Sequence, residues 1–368
     1  MIVYIVLAVF TCAIAIFVRP RSVDNEASVF FVSPDNMTRE RTRNFAVCTL
    51  IFLLLFGVSA CRIAIGHDSW EYTEIFSLIS QNRHVSTEFG FNLVVRACHA
   101  IFGKDNYIII FALFAWVTLT YFLKGIYEEA KNYALTFFLF MVFGYYLSTF
   151  NAVRYYFVLA IAFYAASFLL KKEFVKFVLC ILVAACFHKA VLFVLLAYPL
   201  ALVKWNKITV PAVALFTGSL LLFPQFYRML IFKIYPFYEN SIYDTGETSI
   251  INILRCVAVL IFSLCFYKQA LKGNRRNMFY FNLNLEALIV YACCTFIPVI
   301  SRIGFFLNVF QIFLIPNVIM SMEKKWQRYL FTGLTVVAGI GYYAFFLIPV
   351  RLAYYGLSEP LMTPPELK

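Results

Sequence analysis

Charge is what this chain has least of: 14% of its 368 residues are Asp, Glu, Lys or Arg, against 63% that are hydrophobic. A water-soluble domain needs far more polar surface, so a soluble core is excluded. Ten cysteines include no Cys-x-x-Cys pair. Cys12, Cys48, Cys180, Cys265, Cys293 and Cys294 lie inside apolar runs and read as small packing residues rather than as disulfide or metal partners. There is no Asp-x-Asp pair, so neither a metal nor a cofactor is implied. The polar segment from Arg19 to Asn44 mixes five arginines with Asp24, Glu26, Asp35 and Glu40 and lacks a Gly-rich phosphate cradle, which argues against a soluble nucleotide as substrate. The first apolar run, Ile2 to Val18, has no basic leader and no small-residue cleavage site, so a retained span is expected there. Acidic residues number 19 against 31 basic ones, for a net charge of +12. In a membrane chain such an excess mostly records topology, and nucleic acid is not an expected partner.

What is present is a succession of apolar runs of about 17–20 residues, the length a helix needs to cross a bilayer. The expected class is all-α: a polytopic integral membrane protein with about twelve transmembrane helices, one multi-pass domain over residues 1–368. The spans are expected near 2–18, 45–63, 107–123, 133–150, 153–170, 174–187, 190–203, 208–223, 250–267, 283–300, 303–320 and 329–348. Nineteen of the 31 Lys and Arg fall in one alternate set of the connecting loops and twelve in the other, and every loop of the richer set is basic. That set is expected to be cytoplasmic, which puts both termini outside. Trp205 and Trp326 sit beside Lys204 and Lys325, as interfacial anchors do.

This orientation sorts the chemistry. All four histidines, with Asp68, Glu71, Glu74, Glu88, Arg154 and Arg302, fall on the outer side. The tightest outer turn is Phe150 to Tyr156, where Asn151 and Arg154 stand between two apolar runs. An Arg at membrane depth costs roughly 2.5–3.5 kcal/mol on insertion scales, so it either snorkels to lipid phosphate or faces a cavity or an anionic partner. The next outer hairpin carries a second polar pair, His188 and Lys189, with almost no loop around it. The long outer loop 62–106 is acidic at its start, with His67, Asp68, Glu71 and Tyr72. Further on, Leu93, Val94, Ala97, Cys98 and Ile101 recur at helical spacing from Asn92 to Phe102, which predicts an interfacial helix. Asp68 and Glu88 read either as solvated loop carboxylates or as functional ones. The other large outer loop, 224–250, is aromatic, with Phe226, Tyr227, Tyr235, Phe237, Tyr238 and Tyr243; these suit a membrane-surface belt or stacking on sugar rings.

Taken in order, these elements resemble membrane exopolysaccharide polymerases of the EpsG and Wzy type. That resemblance is carried by Asp68 with Tyr72, by Glu88 to Phe91 as Glu-x-Gly-Phe, by Asn151 with Arg154, by Phe187-His188-Lys189-Ala190, and by Arg302 with Phe306. It covers about residues 60–310. Tyr155 stands where many members have Gln, and Ala190 where Ser is usual. The resemblance implies a GT-C-like or Wzy-like helical architecture in a bacterial plasma membrane. It implies polymerisation of oligosaccharide repeat units, with undecaprenyl-diphosphate-linked donor and acceptor as partners, membrane lipid around them, and a chain-length regulator protein as a further partner. Arg154 and Arg302 would hold the diphosphate, and Asn151, Tyr72, Lys189 and Tyr155 would contact substrate.

The residues fit such a reaction independently. A diphosphate leaving group fixed to lipid calls for permanent cations at membrane depth, and Arg offers a fork that stays charged. The acceptor hydroxyl needs a proton acceptor, for which His188, Asp68 and Glu88 are candidates. His188 is the first choice, because the neighbouring Lys189 favours a neutral ring. Two rival readings remain. A lipid-linked oligosaccharide flippase commonly uses midplane ionisable groups or paired repeats, neither of which is evident; an acyltransferase of extracellular polysaccharide could also use surface Arg and His.

Overall fold

The computed structural model describes residues 2–19, 39–61, 68–104, 106–234, 248–297 and 300–347, with Glu239, Asp244 and Gly246. Among the described residues the regular structure is entirely helical. In chain order the helices are α1 (Ile2–Ala15), α2 (Arg39–Ala60), α3 (Ser69–Ser80), α4 (Phe89–Phe102), α5 (Tyr107–Glu129), α6 (Tyr133–Val142), α7 (Tyr145–Ser148), α8 (Val153–Leu170) and α9 (Phe174–Ala185). They continue with α10 (Val194–Leu200), α11 (Thr209–Leu222), α12 (Pro224–Ile234), α13 (Ile250–Cys265), α14 (Arg275–Cys293), α15 (Ile300–Asn308), α16 (Gln311–Met320) and α17 (Lys325–Tyr342).

Twelve uninterrupted spans were the expectation, and the helices divide the apolar sequence differently. Four stretches among the described residues are long and apolar enough to cross a membrane: α2, α5, α8, and α15 with α16 taken together as Ile300–Met320. A fifth is α11 with α12, if the pair counts as one span despite an 84° bend. Most of the other apolar runs form shorter helices, while α14 and α17, with 19 and 18 residues, are long enough but not apolar enough. At 1.5 Å per residue, a 14-residue helix such as α1 covers about 21 Å of a hydrocarbon core about 30 Å thick. The local causes are visible. The run 133–150 is cut at Gly144, whose φ of +78° is left-handed and separates α6 from α7. The run 190–203 opens as a 3-10 turn over Lys189–Phe193 and carries Pro199 inside α10. The run 283–300 is shifted, because Asn274 caps α14 by accepting from Asn277 N at 3.1 Å and so starts the helix earlier.

The loop 62–106, expected on the outer side, contains two helices, α3 and α4. The interfacial helix expected from Asn92 to Phe102 is present and begins earlier, at Phe89. In the loop 224–250 the start is helical as α12, while Tyr235, Phe237, Tyr238 and Tyr243 lie outside the described residues, as does His67.

The chain divides into two compact units. The first comprises Met1–Tyr164, Leu182–Lys189 and Lys324–Lys368. Part of it is an aromatic core in which Phe76 packs against Phe91, Tyr107 and Phe111 at centroid distances of 6.1, 5.8 and 5.4 Å. Phe114 joins Phe157 to the same core at 5.0 Å, and Phe157 meets Phe187 at 4.7 Å. Elsewhere in this unit Asn44 ties the chain after α1 to α2: its amide donates to Arg19 O and its oxygen accepts from Arg19 N, both at 3.1 Å. The second unit, Ala165–Ile181 with Ala190–Glu323, is built on α14. Its buried amides bridge helices: Gln311 donates to Asn284 at 2.6 Å, Asn284 to the Cys256 carbonyl at 3.0 Å, and Asn317 to Asn277 at 2.9 Å. In an apolar surrounding such amide bonds are the natural glue between helices.

Candidate functional site

The site forms at the start of α8, where the chain reverses. Asn151 N donates to the Ser148 carbonyl at 3.2 Å, and Val153 N to the Asn151 carbonyl at 3.0 Å, so the expected substrate contact Asn151 is a buried turn residue here. α8 then begins at once and puts Arg154 in its first turn, where backbone N–H groups have no partner within the helix. Tyr72, carried by α3, supplies one: Arg154 N donates to its phenol oxygen at 3.3 Å. Tyr72 is itself buried, with ring centroids 6.2 Å from each of Phe76, Phe91 and Phe111.

Glu88 arrives from the other side, as the extended residue before α4 (φ −70°, ψ 151°). Its entry is fixed by the Asn92 amide, which donates to the Thr87 carbonyl at 3.1 Å while the Thr87 hydroxyl bonds Asn92 Oδ1. Two residues on, Gly90 N donates to the Cys186 carbonyl at 2.8 Å. Only glycine permits that approach: a Cβ there would lie 2.8 Å from the Cys186 oxygen and 2.9 Å from its Cβ. Held in this way, the two carboxylate oxygens of Glu88 are both engaged. Oε2 accepts from Arg154 Nη1 at 2.7 Å, and Oε1 accepts from the backbone N of Lys189 at 3.1 Å. Oε1 also lies 3.8 Å from His188 Nδ1, an electrostatic contact beyond hydrogen-bond length.

The pair is half-hidden, with 21% of the Arg154 side chain and 13% of Glu88 exposed. The guanidinium rests over Phe91, 5.2 Å from the ring centroid. Among the described residues its buried Nε has no hydrogen-bond partner. A buried charged donor in that condition is costly, and an anionic oxygen placed there would satisfy it. His188 is 16% exposed at its side chain and is braced by Tyr155, whose ring meets it edge-on at 5.9 Å. Tyr155 is buried, so it supports the imidazole from behind. Lys189 contributes its backbone amide, and its side chain is exposed.

One expected site residue of the first unit, Asp68, is not part of this cluster. Asp68 precedes α3, where its carbonyl accepts from Tyr72 N at 3.0 Å, and its carboxylate makes no capping hydrogen bond. Arg302 stands half-buried near the start of α15 in the second unit. Sequence reasoning missed the backbone partners, Lys189 N and Cys186 O, because an amide or carbonyl leaves no side-chain signal. It also missed Phe91 as the platform under Arg154, although the Glu-x-Gly-Phe spacing contains it. Among the described residues no group of three or more His, Cys, Asp or Glu side chains is placed to hold a metal ion. What the cluster offers chemically is a guanidinium with donors to spare, a carboxylate that holds it, and an imidazole beside both.

A protein-family model described as the EpsG family matches residues 45–355. No curated protein and no solved structure is similar enough to the chain to match.

Proposed function

The chain belongs to the EpsG family, and from that premise we propose that this membrane polysaccharide polymerase joins oligosaccharide repeat units carried on undecaprenyl diphosphate at the outer face of a bacterial plasma membrane. The observation that carries the reading is Arg154: a guanidinium at a reversal between apolar helices, one face on Phe91, with a buried Nε that lacks a partner among the described residues. Such a group suits the diphosphate of a lipid carrier, because it stays charged at any relevant pH and offers parallel donors to phosphate oxygens. The division of basic residues supports twelve passes with both termini outside, and hence an outward-facing site. The shorter helices would then complete the crossing by local thinning of the bilayer or by joining neighbours.

In the reaction the terminal sugar hydroxyl of the acceptor attacks the anomeric carbon of the donor glycan. The bond from that carbon to the diphosphate oxygen breaks, and the lipid diphosphate leaves with its electron pair. Arg154 stabilises the charge that develops there. The hydroxyl proton passes to His188, whose Nδ1 lies 3.8 Å from the Glu88 carboxylate that holds Arg154.

The test is reconstitution of purified protein in liposomes with one lipid-linked repeat unit. A ladder of longer lipid-linked glycans with release of undecaprenyl diphosphate is expected. Relocation of the lipid without lengthening would make the protein a transporter, and an acylated glycan would make it an acyltransferase. Either result overturns the reading.

A further inference from the structure

The polymerase reading leaves Glu88 as one of three candidates for the proton acceptor. The geometry gives it different work. We propose that Glu88 is a positioning residue that occupies the anion place on Arg154 until the lipid diphosphate takes it, and is then released toward His188.

Both oxygens of Glu88 are already used. Oε2 accepts from Arg154 Nη1 at 2.7 Å and Oε1 from Lys189 N at 3.1 Å. A base must be able to reach a substrate hydroxyl, and a carboxylate held from two sides is poorly placed to do so. The same two bonds fit a placeholder. Glu88 and a phosphate oxygen are both hard anionic acceptors, and both seek the same guanidinium edge. While Glu88 holds Nη1, an arriving diphosphate must displace it or share the fork with it. Displaced from Arg154, the carboxylate keeps its bond to Lys189 N, the amide next to His188. From there Oε1 needs to close less than an ångström, from 3.8 Å, to reach hydrogen-bond distance of Nδ1. A carboxylate on Nδ1 fixes the ring so that the opposite nitrogen, Nε2, is the proton acceptor, and it stabilises the imidazolium formed when the proton arrives. Substrate binding would thus bring the base into its working tautomer. The surroundings keep these moves small: Gly90 N on the Cys186 carbonyl pins the two segments together, and Tyr155 backs the imidazole.

This inference rests on the polymerase reading, and one experiment separates the two. Binding of a sugar-free polyprenyl diphosphate and the rate of glycan lengthening are measured for wild type and E88Q, with lengthening followed across pH. The glutamine keeps the shape and removes the competing charge. E88Q is expected to bind the polyprenyl diphosphate several-fold more tightly while turnover falls about tenfold or more, with the rising pH limb of turnover retained. That split, tighter binding with slower turnover, is foreign to a merely structural group, and the retained pH limb separates it from loss of a general base. Unchanged or weaker binding in E88Q overturns the placeholder. Loss of the pH limb would make Glu88 the base, which also overturns it. Should E88Q fail to accumulate, E88D is read in the same way: its carboxylate, drawn back by one methylene, should also release Arg154 and tighten binding, and unchanged affinity again overturns the proposal. Wild-type protein that neither binds the polyprenyl diphosphate nor lengthens glycan is a different result, the failure of the polymerase reading itself.

Discussion

Gly90 and Cys186 meet backbone to backbone, the amide of the first donating to the carbonyl of the second at 2.8 Å. This one bond sets how far the start of α4 lies from the hairpin that carries His188, and therefore where Glu88 reaches Arg154. G90A would place a methyl group 2.8 Å from the Cys186 oxygen, so one of the two segments must move. A loss of about 1–3 kcal/mol in stability is expected from such overpacking. Glycan lengthening should fall with it, because Glu88 and Lys189 N separate. Thermal unfolding in detergent and the lengthening assay check both; a variant as stable and active as wild type would show that the contact does not set the site.

R154K keeps the charge and loses the planar fork. A lysine ammonium cannot bond Glu88 and also offer a second donor in the place of the buried Nε. A hydrogen bond to a charged group contributes about 1.5–3 kcal/mol, so turnover should drop roughly 10- to 100-fold. Protein amount in the membrane should hold steady. Normal lengthening by the lysine variant would reduce Arg154 to a snorkelling helix end.

The pH profile tests the imidazole. With His188 as base, turnover rises with pH as the ring loses its proton, through a group titrating in the histidine range. H188Q should flatten that limb and lower turnover by about 10²–10⁴-fold, the usual contribution of a positioned base. D68N should retain the limb, since Asp68 stands at the start of α3, apart from the Glu88 cluster. A limb that survives in H188Q moves the base elsewhere.

Orientation is checked by labelling single cysteines in intact cells, in a background where the exposed Cys61, Cys186 and Cys265 are replaced by serine. N82C, in the turn after α3, should react with a membrane-impermeant reagent. R275C, at the start of α14, should react only after the membrane is opened. Labelling of R275C from outside would invert the map and remove the outward site with it.

The helical membrane class was legible because 63% hydrophobic residues leave nothing else to build. The lengths of the elements were not. In a run that is apolar on every side, the 3.6-residue period carries little signal. A single left-handed residue, Gly144, then decides that Tyr133 to Thr149 is two helices. At the site, the motif order found Tyr72, Glu88, Arg154 and His188, and these four are neighbours. Their division of labour was hidden. Glu88 was one of three candidate bases and Arg154 a phosphate ligand, and the two bond each other across 66 residues of chain. Tyr72 and Tyr155, expected on the substrate, are buried supports for Arg154 N and for the His188 ring. The roles follow from burial and backbone partners, which a string of residue types does not record.

The Glu88 carboxylate bonds an amide 101 residues further along the chain. During synthesis at about 5–20 residues per second, α4 therefore waits roughly 5–20 s after Glu88 has been made before its partner exists. Through that interval α4, an amphipathic helix with an apolar face, is without the hairpin it will dock on. The last piece of the cluster to be made is the His188–Lys189 hairpin, so α4 acquires its seat only when His188 arrives. A chain interrupted before Cys186 would insert its early helices and still hold Arg154 without the segment that completes its setting.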